Sequence, residues 1–371
     1  MSKPTSESNI KPIALYLPQF HPFQENDLWW GKGFTEWTNV TKSQPKFKGH
    51  YQPHLPADLG FYDLRLLDTL IAQTEMAKAY GIYGFCFYHY WFNGKLLMET
   101  PLETMLRAKK PDFPFCLCWA NENWTRRWDG EDHEILSLQE YNFEDDKSHF
   151  EFLCKKYFKD ERYIRHEGKP VFLVYRPKLF KDINKTIEIW RNVARKEGIG
   201  EVHLGYTQSW GITDTPLSMG FDFAVEFQPN FPQTETKRKT VFDKIKNKAY
   251  KYCLLKENDK LNDKIFDYKK FVEIQKEKTF KSDVSPCIVP MWDNSARRKK
   301  NAFIFTDSTP EKYGNWLNFI LKNFPWDVNK EKFLFINAWN EWAEGNHLEP
   351  CQKWGKSYLE ITKENLCSNE E

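Results

Sequence analysis

The chain has no long apolar run and little net charge, and these two deficits already restrict its class. Its 371 residues include 54 Lys and Arg against 52 Asp and Glu, a net charge of +2. Such a balance does not indicate a general affinity for nucleic acid. The polar N-terminus lacks the apolar segment of a signal peptide, and no stretch approaches the length of a membrane span. We therefore expect a cytoplasmic protein, or one at the inner membrane surface.

Signatures of metal and nucleotide sites are also missing. None of the eight cysteines forms a C-x-x-C pair, and no Cys/His spacing is typical of zinc. Cys86, Cys116, Cys118 and Cys287 lie in apolar runs, where a free thiol behaves as a small hydrophobe. No G-x-G-x-x-G or P-loop follows the first apolar run, and no persuasive D-x-D follows a strand. The sequence predicts reduced thiols and no metal or other cofactor.

Aromatic residues, in contrast, are abundant. The chain has 15 Trp, 17 Tyr and 30 Phe. Indole and phenol rings can stack on the C–H faces of sugars, which suits a carbohydrate-binding protein. A large aromatic core would need many such rings as well, so composition alone does not choose between the two.

Eight short apolar runs alternate with amphipathic segments along the chain. The apolar runs cover residues 13–17, 82–88, 115–119, 171–175, 202–206, 223–227, 287–291 and 333–336, and helical periodicity covers residues 64–79, 102–109, 146–158, 185–196 and 311–323. This alternation predicts an α/β fold of the (β/α)8 TIM barrel type rather than a doubly wound sheet. No repeat or low-complexity linker divides the chain. We therefore expect a disordered tail over residues 1–11 and a single catalytic barrel domain over residues 12–366.

Two long insertions interrupt the alternation, one after the first strand and one after the sixth. Residues 19–63 are too many for a plain connection and are expected to cover a cleft. Residues 231–281 contain fifteen Lys or Arg against eight Asp or Glu, and the run Arg297 to Lys300 is wholly basic. Such charge is usually a solvated face. The alternative is peripheral membrane contact, or a landing site for a glycan linked to a lipid phosphate.

The strongest indication of chemistry is the stretch KFLFINAWNEWAEGNHLEP, residues 332–350. A buried strand is followed at once by Glu341 and Glu344, three residues apart, with tryptophans and asparagines around them. On a turn, this spacing directs both side chains to the same side. Two carboxylates in one cleft separate their pKa values, which equips them to break a glycosidic bond. The plainer alternative is the solvated start of a helix.

Polar and aromatic side chains follow nearly every predicted strand, where a barrel collects its functional groups. The predicted substrate-binding residues are His21, Trp37, Tyr88, His89, Trp91, Trp119, Asn121, Glu122, Asn123, Trp124, Glu226, Gln228, Trp292, Asp293, Asn340 and Trp342. Each has a structural alternative. The histidines could be packed in the core, Trp37 could plug the barrel mouth, and Glu122 could pair with Arg126 or Arg127. Glu226, at the end of a buried strand, must be paired or functional.

Five motifs of this chain resemble those of the WbsX-like family, over nearly its whole length. They are IALYLPQFHP, WWGKGFTEWTNV, YGIYGFCFYHYWF, CLCWANENWTRRWDG and INAWNEWAEGNHLEP. That family is commonly found with genes for O-antigen and capsular polysaccharide, and it is often labelled glycosyltransferase. It is distantly similar to glycoside hydrolase family 99, the endo-α-mannosidases and endo-α-mannanases, which are (β/α)8 barrels.

The similarity to the hydrolases is greatest at their E-W-x-E motif, which Glu341, Trp342, Ala343 and Glu344 match. The resemblance implies that Glu341 is a base for the 2-hydroxyl of the sugar, forming a 1,2-anhydro intermediate. It implies that Glu344 protonates the leaving oxygen and later activates water. Ala343 departs from the histidine usual at that position.

Three hypotheses follow for the function. The first is an enzyme that cleaves or transfers a glycosidic bond in a surface polysaccharide, with a retaining glutamate-pair mechanism. The second is a glycosyltransferase of O-antigen or capsular polysaccharide biosynthesis, although such transferases usually have Rossmann-like folds. The third is a glycan-binding module without activity.

Overall fold

The computed structural model describes residues 10–125, 135–209, 211–230, 263–326, 328 and 331–368. The tail predicted for residues 1–11 falls largely outside this part of the chain, and so does most of the lysine-rich insertion. Lys11 already belongs to the first strand.

Parallel strands and helices alternate through the described residues. The strands are β1 Lys11–Tyr16, β2 Gly84–Phe92, β3 Lys95–Leu97, β4 Phe115–Trp119, β5 Trp124–Thr125, β6 Ile135–Ser137, β7 Arg165–His166, β8 Lys169–Val174, β9 His203–Thr207, β10 Phe223–Val225, β11 Lys264–Asp267, β12 Val284–Ser285, β13 Cys287–Ile288, β14 Phe303–Thr306, β15 Phe333–Ile336, β16 Asn340–Glu341 and β17 Asn346–His347. The helices are α1 Gln24–Trp30, α2 Glu36–Lys42, α3 Leu67–Ala79, α4 Thr100–Ala108, α5 Phe143–Lys156, α6 Ile183–Lys196, α7 Tyr268–Lys276, α8 Pro310–Asn323 and α9 Ser357–Ser368.

The parallel strands form a nearly closed barrel, which confirms the predicted fold class. Their order is β12, β10, β9, β8, β4, β2, β1, β15, β13. The first and last of these, β12 and β13, are separated along the chain only by Pro286. Proline has no N–H to donate, which interrupts the ladder at this point. Its carbonyl still accepts a hydrogen bond from Phe335 N at 2.9 Å, so residues 284–288 close the barrel as one interrupted strand.

The helices begin where the sequence provides capping groups. In α5, the Asn142 side chain accepts a hydrogen bond from Asp145 N, and three acidic residues occupy the first turn. Both features stabilise a helix N-terminus, because they satisfy a free N–H and complement the helix dipole. In α8, Thr309 accepts from Lys312 N and Pro310 follows it. The five predicted helices are all present, with ends that differ by a few residues.

Four helices of the described residues were not predicted. Helices α1 and α2 lie in the first insertion, which was expected only to cover a cleft. Helix α7 lies in the stretch that was assigned to the second insertion, and α9 follows the last predicted strand. One continuous cluster of buried hydrophobic side chains extends from Ile13 to Leu366 and includes residues of α7 and α9. No helix of the described residues combines the length and apolar character that crossing a bilayer requires.

Candidate active site

One arginine and three glutamates meet beyond the carboxyl ends of the barrel strands. The Arg297 guanidinium contacts Glu36 through Nε, Glu341 through Nη2 and Glu344 through Nη1, each at 2.9 Å. Glu36 is the first residue of α2, in the insertion after β1, and Arg297 follows β13. Glu341 and Glu344 follow β15. We call these four residues the glutamate–arginine cluster.

The cluster is buried unevenly. The side chains of Glu36 and Glu341 are 0% and 7% exposed, and that of Arg297 is 10% exposed, whereas Glu344 is 21% exposed. Glu344 is therefore the carboxylate of the cluster that solvent, or a ligand arriving from solvent, reaches most easily. Both Glu341 and Glu344 accept from terminal nitrogens of one guanidinium, so the two carboxylates lie on the same side of the turn, as their spacing predicts.

The charges of the cluster do not cancel, and this shifts its pKa values. Burial raises the pKa of Glu341 to about 8; Arg297 opposes the shift, and the carboxylates of Glu344 and Glu36 add to it. Burial also raises the pKa of Glu36, again against Arg297. Burial alone would lower the pKa of the guanidinium, but the three carboxylates hold it above its usual value. One positive charge cannot balance three desolvated carboxylates, so the site retains a proton near neutral pH.

The turn that carries Glu341 and Glu344 is built by a short antiparallel pair and a glycine. Glu341 pairs with Asn346 between β16 and β17, and a 3-10 turn covers Trp342–Glu344. Gly345 has φ +53°, and a Cβ there would lie 3.0 Å from Asp293 Cβ. Asp293 N donates to the Glu344 carbonyl at 2.6 Å. The loop after β13 therefore packs directly against the turn and fixes its position.

Another buried carboxylate, that of Glu349, supports this turn from within. It accepts hydrogen bonds from Tyr62 Oη at 2.8 Å, Gln73 Nε2 at 2.7 Å and Trp342 Nε1 at 2.6 Å. Burial raises its pKa to about 7, against these three donors. Because its oxygens are occupied by protein donors, Glu349 holds the Trp342 indole in place.

Asn340 and Trp342, both predicted to bind substrate, are occupied by the fold itself. Asn340 exchanges two hydrogen bonds with the backbone of Leu17, at 2.8 and 3.0 Å. The Trp342 ring stacks on His347 with centroids 3.8 Å apart. Both side chains are almost fully buried. They position the turn rather than line its open side.

Three predicted residues face the helices instead of the cluster. His89 Nε2 lies 2.9 Å from His149 Nε2 of α5, and the Trp91 indole donates to Asp145 at 3.0 Å. The Trp119 ring packs at 4.4 Å from His149. Successive strand residues point to opposite faces, and these side chains lie between the barrel and α5. Their assignment to substrate binding is corrected on this ground.

The same alternation brings Tyr88 towards the glutamates, together with Tyr90. Burial is the largest cause of the raised pKa of both tyrosines. The charge of Glu341 is the next cause for Tyr90, and it also contributes for Tyr88. Trp124 lies beside Tyr90 at 5.2 Å and stacks on Trp29 at 6.1 Å. Trp29 and Trp124 are half-buried. An aromatic wall therefore extends from the cluster towards solvent.

The remaining predicted residues after the third and fourth barrel strands form a polar network. Asn121 accepts from Arg176 N at 2.7 Å and donates to the Arg176 carbonyl at 2.9 Å. Glu122 forms an ion pair with the Arg176 side chain. Its expected partners, Arg126 and Arg127, lie outside the described residues. Asn123 accepts from Gln139 N at 2.7 Å. These contacts fix the loops that carry Trp124.

On the other side of the barrel mouth, several predicted residues are likewise paired. Glu226 forms an ion pair with Lys278, and Gln228 donates to Gln275 at 3.0 Å. Asp293 lies 2.6 Å from His50 and 2.7 Å from Gln52 Nε2. Trp292 is half-buried, and its carbonyl accepts from Phe305 N at 2.8 Å.

His21 and Trp37, from the first insertion, complete the predicted set. Burial lowers the pKa of His21 to about 4, so its imidazole is neutral at physiological pH. Trp37 donates to the Tyr62 carbonyl at 2.8 Å and packs 5.6 Å from Trp342. Trp37 thus anchors α2 against the turn, and this places its neighbour Glu36 in the cluster.

Sequence analysis missed two members of the cluster. Glu36 stands in the motif WWGKGFTEWTNV, where Trp37 alone was selected, and a carboxylate next to a buried aromatic was the available signal. Arg297 was assigned to an exposed basic run. The structure corrects this, because its side chain is buried and bound to three glutamates.

Fold and site together define an α/β-barrel protein with clustered carboxylates at the carboxyl ends of its strands. The profile of the family described as Glycosyltransferase WbsX matches residues 12–362. The chain belongs to this family, which confirms the resemblance that its motifs indicated.

Two relatives from Xanthomonas campestris pathovar campestris, each an uncharacterized protein named WxcX from a different strain, share 41% identity with the chain over 361 residues. The match covers 95% of this chain and 49% of each relative. The chain therefore spans about half the length of these relatives.

Solved structures show the same fold at low identity. A glycoside hydrolase-like protein has a TM-score of 0.59 at 15% identity, covering 99% of this chain and 97% of its own. The family 99 endo-alpha-mannosidase of Bacteroides thetaiotaomicron has a TM-score of 0.57 at 12% identity, covering 96% and 97%.

Proposed function

We propose that the chain cleaves or transfers a glycosidic bond within a surface polysaccharide, with Glu341 and Glu344 as its catalytic pair. The observation that carries the proposal is the binding of both carboxylates by one buried guanidinium at the carboxyl end of the barrel. Active sites of such barrels lie at this end. The half-buried rings of Trp29 and Trp124 beside Tyr90 offer flat apolar faces for sugars.

The roles of the two glutamates follow from the E-W-x-E motif shared with the family 99 hydrolases. Glu341 takes the proton of the 2-hydroxyl while that oxygen attacks the anomeric carbon. Glu344, the more exposed of the two, gives its proton to the leaving oxygen. In the second step Glu344 takes a proton from water or an acceptor hydroxyl, which opens the 1,2-anhydro ring, and Glu341 returns the proton to the 2-oxygen.

The cluster holds one proton near neutral pH, and Glu341 can act as the base when that proton lies on Glu344. A general base works best when its pKa lies near the operating pH, and burial raises the pKa of Glu341 to about 8. Arg297 stabilises the ionised form that accepts the proton. Ala343, which replaces the histidine of the hydrolases, is fully buried. We therefore assign it no substrate contact.

The test is turnover without an activated donor. Purified protein is incubated with bacterial surface glycans and aryl glycosides, in parallel with Glu344→Gln and Glu341→Gln. Loss of general acid catalysis lowers rates by about 10²–10⁴-fold, so both variants should release little or no product. Glu188→Gln is the matched control, since Glu188 is an exposed residue of α6 and should retain the parental rate.

The second candidate function is a glycosyltransferase of O-antigen or capsular polysaccharide biosynthesis, which the description of the family favours. The substrate would then be a growing glycan, in one alternative linked to a lipid phosphate at the inner membrane surface. This function predicts product only when a sugar nucleotide is supplied. Product under that condition alone, and none in any donor-free reaction, would reject the first proposal in favour of this one.

A further inference from the structure

Two histidines and a glutamate meet at the end of the barrel opposite the glutamate–arginine cluster. His166 ends β7, just before barrel strand β8, His203 is the first residue of β9, and Glu331 lies two residues before β15. All three therefore lie at the amino ends of barrel strands. In barrel enzymes this end contributes stability rather than catalysis.

The three side chains are close enough to share one ion. A single ligand atom from each lies within 4.8 Å of the others. His203 Nε2 is 3.1 Å from Glu331 Oε1. The two imidazole rings have centroids 4.5 Å apart. Their side chains are only 7–10% exposed.

The surroundings fix these groups in place. The His203 ring stacks on Phe223, with centroids 4.8 Å apart and planes within 7°. Its other nitrogen, Nδ1, faces the Asp222 carboxylate at 3.9 Å. Asp222 is itself held by Leu204 N at 2.7 Å and by Arg191. At 3.9 Å the Asp222 carboxylate acts on His203 through its charge rather than through a hydrogen bond.

We propose that His166, His203 and Glu331 bind a divalent cation of the zinc class. Two imidazole nitrogens and one carboxylate oxygen are a ligand set that zinc accepts, with water completing a tetrahedron. The alternative is a hydrogen-bonded His203–Glu331 pair with His166 packed beside it.

The role of this ion would be structural. Glu331 and His203 are separated by 128 residues, so one ion would join distant segments at the base of the barrel. A ligand that binds only the folded state stabilises it by mass action. This proposal is independent of the chemistry at the opposite end. The site also explains why no zinc spacing was visible, because its ligands come from three unconnected segments.

The test begins with the parental protein after treatment with chelator and buffer exchange. Titration with Co²⁺ should give one equivalent of binding, with a visible spectrum of nitrogen and oxygen ligands and without a sulfur-to-cobalt charge-transfer band. That band would instead report binding by the cysteines. Zn²⁺ should displace Co²⁺ and raise the melting temperature, and EDTA should reverse the rise.

Two substitutions locate the site. Glu331→Gln keeps an oxygen that can accept from His203 but removes the anionic ligand, and His166→Gln removes a nitrogen ligand. Even loss of a group behind a ligand typically costs 10–100-fold in metal affinity, so each variant should lose at least about tenfold. Glu197→Gln is the control, since Glu197 lies six residues before His203 and pairs with Lys155 of α5. It should bind as the parent does.

Far-UV circular dichroism in the absence of metal shows which variants fold. If Glu331→Gln does not fold, the metal affinity of His166→Gln tests the proposal. Either absence of stoichiometric Co²⁺ and Zn²⁺ binding by the folded parent, or unchanged affinity in a folded ligand variant, would overturn the proposal. In that case His203 and Glu331 are a hydrogen-bonded structural pair, and His166 packs beside them.

Discussion

At the scale of single residues, Arg297 is the centre of the candidate site. Its guanidinium has donors on three nitrogens, and each contacts a different glutamate at 2.9 Å. A planar fork of donors holds several carboxylates in a fixed geometry, whereas the three donors of a lysine ammonium rotate. The arrangement separates the glutamates by burial, so that Glu344 faces the opening while Glu36 and Glu341 lie behind it.

The raised pKa of Glu341 predicts how stability depends on pH. A glutamate of the unfolded chain titrates at about 4.3, whereas the pKa of Glu341 in the folded protein is about 8. Between these values the folded state binds more protons than the unfolded chain. Stability is therefore greatest below the unfolded pKa and falls as pH rises through the folded one.

We expect Glu341→Gln to remove this pH dependence. The contribution of Glu341 to the free energy of unfolding should change by on the order of 2–4 kcal/mol between pH 5 and 8 in the parent. Urea unfolding of parent and variant across that range measures it, as the difference between their slopes against pH. Comparison with the variant is needed because the raised pKa of Glu349 acts in the same direction. Parallel slopes would show that Glu341 does not titrate in this window.

At the scale of elements, the loop after β15 and the loop after β13 depend on each other. Gly345 ends the 3-10 turn in the left-handed region, at φ +53°. A Cβ there would lie 3.0–3.2 Å from Asp293, including its backbone N and O. Asp293 is held in turn by His50 and Gln52. Neither side can move freely, which fixes Glu344 relative to Arg297.

Gly345→Ala should therefore reduce both stability and activity. The strained φ and the contact with Asp293 together should cost about 1–3 kcal/mol, and displacement of Glu344 should lower the rate of glycan turnover at least tenfold. Gly355→Ala is the matched control, since Gly355 has φ +51° but open space around its Cβ position. Equal losses of activity in the two variants would argue against positioning by the Asp293 contact.

Sequence analysis predicted the barrel strands well, but not which of their side chains face inwards. The eight apolar runs were assigned correctly because buried parallel strands are continuously hydrophobic. Continuous hydrophobicity, however, hides which side chain faces inwards. His89 and Tyr88 were therefore assigned to one site, although adjacent strand residues point to opposite faces.

At the scale of the whole molecule, the barrel separates two groups of charged side chains. The glutamate–arginine cluster lies at the carboxyl ends of the strands, and the His166, His203 and Glu331 group lies at their amino ends. Between them is a continuous hydrophobic cluster. This division lets one end of the barrel serve stability while loops at the other end vary.

The basic run after β13 gives a prediction at this scale. The proposed contact with an anionic membrane involves the other three residues of this run, Arg298, Lys299 and Lys300. Lys46 donates to the carbonyls of Arg298 and Lys299 at 3.1 and 2.9 Å. Each basic residue near such a surface contributes about 1 kcal/mol. The triple change to glutamine should therefore weaken vesicle binding about 100-fold.

Flotation with vesicles that contain anionic lipid measures this binding, and it should weaken with salt. The control replaces Lys181, Lys185 and Lys196, which are exposed at or near α6, and removes the same charge. Equal binding by the parent and the variant of the basic run would remove membrane contact from the proposed function.

The alternation of strands and helices, the barrel class and the pairing of Glu341 with Glu344 could be predicted from the sequence. These are local properties, because periodicity and a three-residue spacing are written along the chain. That Glu36 and Arg297, 261 residues apart, complete the cluster became visible only in the folded protein. The structure also shows that His89 faces away from the cluster and that His166, His203 and Glu331 lie together. Burial, charge pairing and ligand sets depend on distances between segments, and those distances are set only when the barrel closes.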